Sequence, residues 1–548
     1  MTLDYQSLTF GYRRSSDQGR DLPSRHPVVV IGAGPVGLTT AIDLARQGIR
    51  VVVLDDDDTL STGSRAICFA KRTLEIWDRL GCGDRMVDKG VSWNVGKVYF
   101  QDELVYSFDL LDEPGHRRPA FINLQQYYVE GFLYEIAAAE PNIELRWKNR
   151  ATGLVQDDVC ATLTIDTPDG PYALVADYVV ACDGSRSPVR AMLGLKSDGH
   201  TFRDRFLIAD VRMSPEASAR FAAERWFWFD PSFHRGQSVL LHQQPDNVWR
   251  IDFQLGWDAD PVVEREPERV AARVRALLGE DAEFTFEWVS VYTFACLRMD
   301  RFRHGRVLFA GDAAHGVSPF GARGANSGVQ DADNLAWKLR LVLQGRAPDR
   351  LLDSYDDERV AAADENILNS TRSTDFITPK SDISRTFRDA VLRLASDHPF
   401  ARNLVNSGRL SLPATLVDSL LNTRDVDAFA GAMVPGATCV DAPVRVDGRD
   451  GWLLDQLRDD FTLMVFVDQE GGMSDAPVTH DIPLRLLTIG LNAAITSVVD
   501  REGFVAARYD ATPGSAYLVR PDQHVCARWR RWTPDDVLRA LARATCND

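Results

Sequence analysis

Apolar positions fall in short groups of differing period, and their order predicts an α/β chain with more than one sheet. PVVVIGAG over residues 27–34 is a β-branched run closing in glycines, LTTAIDLARQG over 38–48 has helical spacing with a terminal glycine, and RVVVLD supplies a second strand. Together they predict a strand–helix–strand unit of about 30 residues. SRAICFAKRTLEIWDRL at 64–80 reads as a helix halted by Gly81, and INLQQYYVEGFLYEIAAAE at 122–140 as another. Residues 86–122 alternate, as in GKVYFQDELVYSFDL, and alternation returns over 143–182 and in QSVLLHQQ, VWRIDFQL and TFEWVSVYTF between 200 and 295, predicting antiparallel strands. Helical spacing interrupts at 267–278 and resumes over 325–346 and 353–372. Residues 376–432 look polar and helical, and PGATCVDAPV at 435–444 reads as a linker. Beyond it, FTLMVFV at 461–467, IPLRLLTIG at 482–490 and YLVRPDQHVCARWR at 517–530, alternating with helical pieces, predict a separate small α/β domain.

Composition narrows the class. At 548 residues the chain exceeds a single core, and 45% hydrophobic with 26% charged residues is ordinary for a globular protein. A net charge of −17 argues against nucleic acid or an anionic membrane as partner. No apolar stretch approaches the roughly 18 residues of a membrane span, and residues 1–26 hold no apolar signal core. Eight cysteines without a CxxC pair point to reduced thiols and a cytoplasmic location. Neither HExxH nor GxSxG occurs, and no metal site is expected.

Three glycine-and-acid motifs carry the chemistry. In GAGPVG, Gly32 permits a tight turn, Gly34 lets backbone approach a pyrophosphate, and Gly37 allows helix to pack on strand. The helix N-terminus adds N–H donors. Asp55 closes the second strand 18 residues after Gly37, where an acid can accept from a ribose diol. This motif serves NAD and FAD alike. YVVACDGSRSPVR at 178–190 ends a strand in Asp183-Gly184 and opens a helix, which by itself is equally a capped turn. In LFAGDAAHGVSPFGARG at 308–324, Asp312 again closes an apolar strand beside a bare loop. A second acid beyond Asp55 suits a longer ligand with another polyol, as in the ribityl chain of FAD.

GAGPVG, DGSRSPVR and RVLFAGDAAHGVSPFGARGANSGVQDADNLAWKL, in this order, resemble the three signatures of the class A flavoprotein aromatic hydroxylases with the p-hydroxybenzoate hydroxylase fold, over residues 27 to 375. The rest is similar to the phenol hydroxylase and 3-(3-hydroxyphenyl)propionate hydroxylase branch, whose C-terminal domain is thioredoxin-like. The resemblance implies a Rossmann-like FAD-binding domain (27–190 and 296–375) after an N-terminal extension (1–26). It further implies an inserted antiparallel substrate-binding sheet (90–120 and 191–295), a helical connection (376–432) and a thioredoxin-like domain (433–548). It places Gly32, Gly34, Pro35, Val36 and Gly37 at the pyrophosphate of FAD, Asp55 at the ribose and Arg65 beside the flavin. Gln126, or its neighbour Gln125, falls near the ribityl and pyrophosphate groups, Asp183 at FAD, and Gly311 and Asp312 at the ribityl chain. Pro319, Gly321, Gly324, Ala325 and Asn326 fall along the isoalloxazine. Where many relatives have GQGMN, this chain has Ala322-Arg323-Gly324-Ala325-Asn326.

The activity so implied is hydroxylation of a phenolic ring through a flavin C4a-hydroperoxide, with NADH or NADPH and O2, on a small catabolic phenol or phenolic acid. A larger phenolic or polyketide ring, or a reductase or dehydrogenase without oxygen insertion, is the alternative, and a homodimer is possible. Such chemistry needs water excluded, donors for charge developing on the flavin, and a phenol held near deprotonation. The sequence assigns no side chain to the last task; the catalytic candidates are His242, Gln254 and Pro319, with His234, Ser238 and Tyr292 as further polar positions, and His315 reads as structural.

Overall fold

The computed structural model describes residues 5–63, 65–405, 411–468, 481–491 and 498–548. Its first sheet has eight strands, with a spine in the order Arg303–His304, Val307–Phe309, Tyr172–Ala181, Ser24–Ile31, Val51–Leu54, Ile143–Arg146. Every pair from Val307–Phe309 to Ile143–Arg146 is parallel. Such strands are covered on both faces, which is why Val28, Val29 and Val30 are wholly buried and their run is apolar without alternation. Helix Pro35–Arg46 crosses over from the first strand and packs on helix Gly324–Leu343.

The second sheet, also of eight strands, runs His315–Gly316, Phe284–Met299, Ser197–Met213, Val248–Leu255, Ser238–Gln243, Arg225–Phe229, Val95–Phe100, Glu103–Asp109. It is antiparallel except where Arg225–Phe229 runs parallel to Val95–Phe100. The GKVYFQDELVYSFDL hairpin thus joins strands more than a hundred residues downstream. The third sheet has seven strands, with Phe461–Val467 between parallel Leu484–Leu491 and antiparallel Ala516–Val519, and Val525–Trp529 beyond. Helix Pro534–Ala544 covers one face. This is the thioredoxin-like arrangement expected.

Several expectations need correction. Residues 68–70 form a strand paired with Phe121–Asn123, so the helix read over 64–80 is confined to Lys71–Arg79; Ser64 lies outside the described residues. Cross-strand pairing overrides helical spacing there. For the same reason helix 122–140 begins only at Gln126. Residues 86–122 also contain most of a helix, Gly83–Lys89. Over 376–432 the helices Asp382–Asp397 and Pro399–Val405 form, but residues 411–432 contain no helix or strand. Residues 406–410 and 469–480, the latter including one of the helical pieces expected between strands, lie outside the described residues. The 435–444 segment is no free linker: Ala437, Cys439 and Ala442 are buried in the C-terminal core.

A buried charge cluster joins the third sheet to the rest. Arg520 pairs with both oxygens of Glu358, at 2.6 and 3.0 Å, and with Asp522. Lys338 donates to Glu358 at 2.8 Å. Arg72, on helix Lys71–Arg79, donates to the Asp522 carbonyl at 2.9 Å and to Gln523 Oε1 at 2.7 Å.

Candidate active site

Between the first two sheets lies a cavity of about 880 Å³, within the range of small-molecule sites. One end is the turn after Ser24–Ile31. Gly32 has φ +103, and a Cβ there would meet the Cys182 carbonyl oxygen at 2.5 Å; a Cβ on Gly37 would lie 1.9 Å from the Gly32 oxygen. A Cβ on Gly34 would meet nothing within 4 Å, because Gly34 caps the helix and opens onto the cavity. Two glycines are therefore required by the protein, and the third only by what enters the cavity.

Acids stand around this end. Asp55 Oδ2 accepts from Ala33 N–H at 2.6 Å and Oδ1 from Asp57 N–H at 2.9 Å, so the carboxylate is tied to the turn; burial raises its pKa. Asp183 Oδ2 accepts from Val189 N–H at 2.9 Å, whereas its buried Oδ1 has no partner. Asp312 is open to the cavity, and among the described residues no donor bonds its carboxylate. Enclosure by protein raises its pKa, against the pull of His315 and Arg65. Gln126 Oε1 accepts from Ala66 N–H at 3.0 Å and its amide donates to Glu130 at 2.8 Å, whereas Gln125 is buried and directed at the Pro245 carbonyl. Of the two glutamines, Gln126 is the one at the cavity.

Pro35, Val36, Arg65, Pro319, Gly324, Ala325 and Asn326 also line the cavity. Gly37, Gly311 and Gly321 do not: Gly37 serves helix packing, Gly311 packs on Val36, and Gly321 at φ +116 shapes the loop. Asn326 lines it without a free side chain, since Oδ1 accepts from Ala70 N–H and the amide donates to Cys68 and Ala322 carbonyls. Ala322 sits at φ +53, a left-handed conformation costly for a residue with a Cβ.

The other end of the cavity is the second sheet. Arg225, His242, Arg250 and Asp210 are successive cross-strand partners, with Asp252 one pair along on the same face. His242 Nε2 lies 3.2 Å from Asp252 Oδ2, and neither ring nitrogen has a hydrogen-bond partner. Burial, then the charge of Arg225, lowers the ring's pKa to about 4. Arg250 donates to both oxygens of Asp210, at 2.9 and 3.1 Å, and to the Arg65 carbonyl at 3.2 Å. Trp288, Tyr292 and Phe294, with the aliphatic Ile208, complete a largely aromatic wall.

Of the polar candidates on these strands, His242 and Tyr292 reach the cavity. Gln254 does not: its Oε1 accepts from Ser238 N–H at 2.9 Å, holding adjacent strands together. Ser238 donates to the Ile377 carbonyl and His234 faces the Gln254 carbonyl, so both are internal. His315 is bound to Asp331 at 2.7 Å, a structural place. Arg225, Arg250 and Asp252 went unread in the sequence; the only signal was charge inside otherwise apolar strands, as Arg250 and Asp252 in VWRIDFQL. Among the described residues no cluster suits a metal ion.

An open glycine at a helix N-terminus, a second acid with no partner and a backbone-rich loop between them fit a flavin dinucleotide, with the aromatic sheet opposite for a second ligand. These features define a flavoprotein with a substrate chamber. The FAD binding domain family matches residues 25–370; the chain belongs to that family, binds FAD, and is an FAD-dependent aromatic monooxygenase. It is 30% identical over 518 residues, 91% of this chain and 90% of the relative, to a 3-(3-hydroxy-phenyl)propionate/3-hydroxycinnamic acid hydroxylase of Mycolicibacterium smegmatis. It is 29% identical to a 12-dehydrotetracycline 5-monooxygenase/anhydrotetracycline 6-monooxygenase of Streptomyces rimosus, covering 92% of this chain and 95% of that one. The fold is shared with the flavin-dependent monooxygenase PieE, solved with FAD and substrate, at a TM-score of 0.79 and 24% identity over 95% of this chain and all of that one. Among the described residues no helix is long and apolar enough to cross a membrane.

Proposed function

We propose that the protein hydroxylates a small phenol or phenolic acid, using O2 and NADH or NADPH, and that His242 exchanges the phenol proton. The observation that carries this reading is the single cavity running from the Gly34 turn to the His242–Asp252 pair. The similarity to the hydroxyphenylpropionate hydroxylase supports the substrate class.

Bound FAD supplies the oxygen transfer; the chain positions and protects it. Gly34, Asp55, Asp183 and Asp312 hold the dinucleotide, and Pro319 to Asn326 flank the ring system. Ile208, Trp288 and Phe294 exclude water. His242, neutral at pH 7, accepts the phenol proton at Nδ1, and Asp252 beside Nε2 stabilises the imidazolium so formed. Residues 27–190 and 296–375 serve FAD in this reading, and 90–120 with 191–295 the substrate. The eight free cysteines support a cytoplasmic location, and the exposed Ile383, Phe387 and Phe400 support a homodimer. The Streptomyces relative favours a second reading, a larger polycyclic phenol in the same chamber.

The test is to purify the yellow protein and screen phenols for accelerated NADH or NADPH oxidation while measuring hydroxylated product. Product from phenolic acids is expected. Accelerated oxidation with no product from any phenol would overturn the reading in favour of a reductase.

A further inference from the structure

We propose that Arg225 is an anion anchor for the substrate, its guanidinium receiving a negatively charged oxygen of the aromatic ligand. This deepens the function proposed above and rests on it.

Arg225 opens strand Arg225–Phe229, between Val95–Phe100 and Ser238–Gln243, and is 3% exposed. It lines the cavity. Its surroundings are aromatic: the guanidinium carbon lies 5.8 Å from the Trp93 ring centre and 5.1 Å from that of Phe227. Among the described residues its one side-chain hydrogen bond is a long contact of 3.8 Å to Cys68 Sγ, and its buried Nε has no partner. Among the described residues no carboxylate lies within 4.0 Å of its nitrogens. A buried guanidinium left this way is costly unless something completes it.

Arg250, in the same row, shows the contrast. It is matched by Asp210 through two hydrogen bonds and needs no ligand. The other groups near Arg225 are His242, Asp252, Tyr292 and Cys68. Of these only Asp252 is a carboxylate; its Oδ2 lies 3.2 Å from His242 Nε2, its Oδ1 has no partner, and neither oxygen comes within 4.0 Å of an Arg225 nitrogen. Arg225 lines the chamber, where a planar guanidinium matches a carboxylate or a phenolate oxygen. Both sources offer the same chemistry, an anionic oxygen on an aromatic ligand. Either would place charge beside His242 and its unpartnered Nδ1.

The test compares FAD-loaded wild type, Arg225→Met and Arg225→Lys on 3-(3-hydroxyphenyl)propionate, its methyl ester and 3-ethylphenol. Arg225→Met is expected to raise KM for the acid about 30-fold or more, with partial recovery in Arg225→Lys. If the anchored oxygen is the carboxylate, the ester and ethylphenol keep their KM in the variant. If it is the phenolate, all three lose affinity and the loss grows as pH rises toward the phenol's own pKa. KM values of all three changed by less than about twofold in Arg225→Met, with the flavin spectrum intact, would overturn the proposal. Should Arg225→Met not retain FAD, Arg225→Lys carries the comparison, and an unchanged KM again overturns it. Wild type that turns over none of the three but hydroxylates polycyclic phenols would defeat the small-substrate reading alone. The variants are then compared on those phenols, where an unchanged KM overturns the anchor.

Discussion

The side-chain amide of Asn326 donates to the Ala322 carbonyl at 2.5 Å and so clamps an alanine in the left-handed region, at φ +53. A glycine would adopt that conformation without steric cost. Ala322→Gly is expected to stabilise the protein by about 1 kcal/mol and raise the melting temperature by about 1 °C, read by calorimetry of the FAD-loaded protein. An unchanged or lower melting temperature would mean that the clamp imposes no strain.

The glycines of the first turn should separate by variant. Gly37→Ala would drive a Cβ to 1.9 Å from the Gly32 oxygen, and loss of folded protein is expected. Gly34→Ala meets no protein atom within 4 Å, so it should fold normally and yet bind FAD at least about tenfold more weakly. Circular dichroism with a flavin fluorescence titration distinguishes the two. Equal FAD affinity in Gly34→Ala and wild type would place the dinucleotide elsewhere.

Asp312 is open to the cavity, and among the described residues no donor bonds its carboxylate. Asp312→Ala is expected to weaken FAD retention by about 10- to 100-fold, the worth of a charge-assisted hydrogen bond, with little change in apoprotein stability. The measurement is FAD released on dilution. Undiminished affinity would remove the role assigned to this acid.

The pH dependence of turnover follows from the histidine. Its ring pKa is lowered from 6.5 to about 4, by burial first and then by Arg225, so the base is neutral above that value and is lost as pH falls through it. The ratio kcat/KM should therefore hold from neutrality down past pH 6.5, where an ordinary histidine would already have titrated. Removing the Arg225 charge moves this acid limb upward. His242→Asn should lower kcat/KM by about 100-fold or more and erase the limb. A limb at the same pH in His242→Asn would assign it to another group.

That Gly34 and the three strand-end acids would meet at one cavity was legible in the sequence, because glycines and strand-end acids follow from backbone geometry, which local sequence encodes. Asp55, Asp183 and Asp312 all lie where the three motifs put them. The substrate half was not legible. Arg225 meets His242 only through the register of Arg225–Phe229 with Ser238–Gln243, and that strand's other neighbour, Val95–Phe100, comes from far upstream. No spacing within one segment encodes such a row. Gln254 shows the converse: its polarity suggested substrate, but its position next to Ser238 gives it a strand-holding task. Cys68–Ala70 was misread as helix because its partner Phe121–Asn123 is remote in sequence.

The loop bearing Arg520, Asp522 and Gln523 sits in the buried charge cluster like a plug in a socket. A chain cut ahead of the third sheet would strip Arg520 from Glu358 and both Asp522 and Gln523 from Arg72. Lys338 and Glu358 would then meet solvent, at the flank of the helix that follows strand Cys68–Ala70. The thioredoxin-like unit is separate in the order of the chain but not in folding, so its removal amounts to a core mutation of the flavin domain.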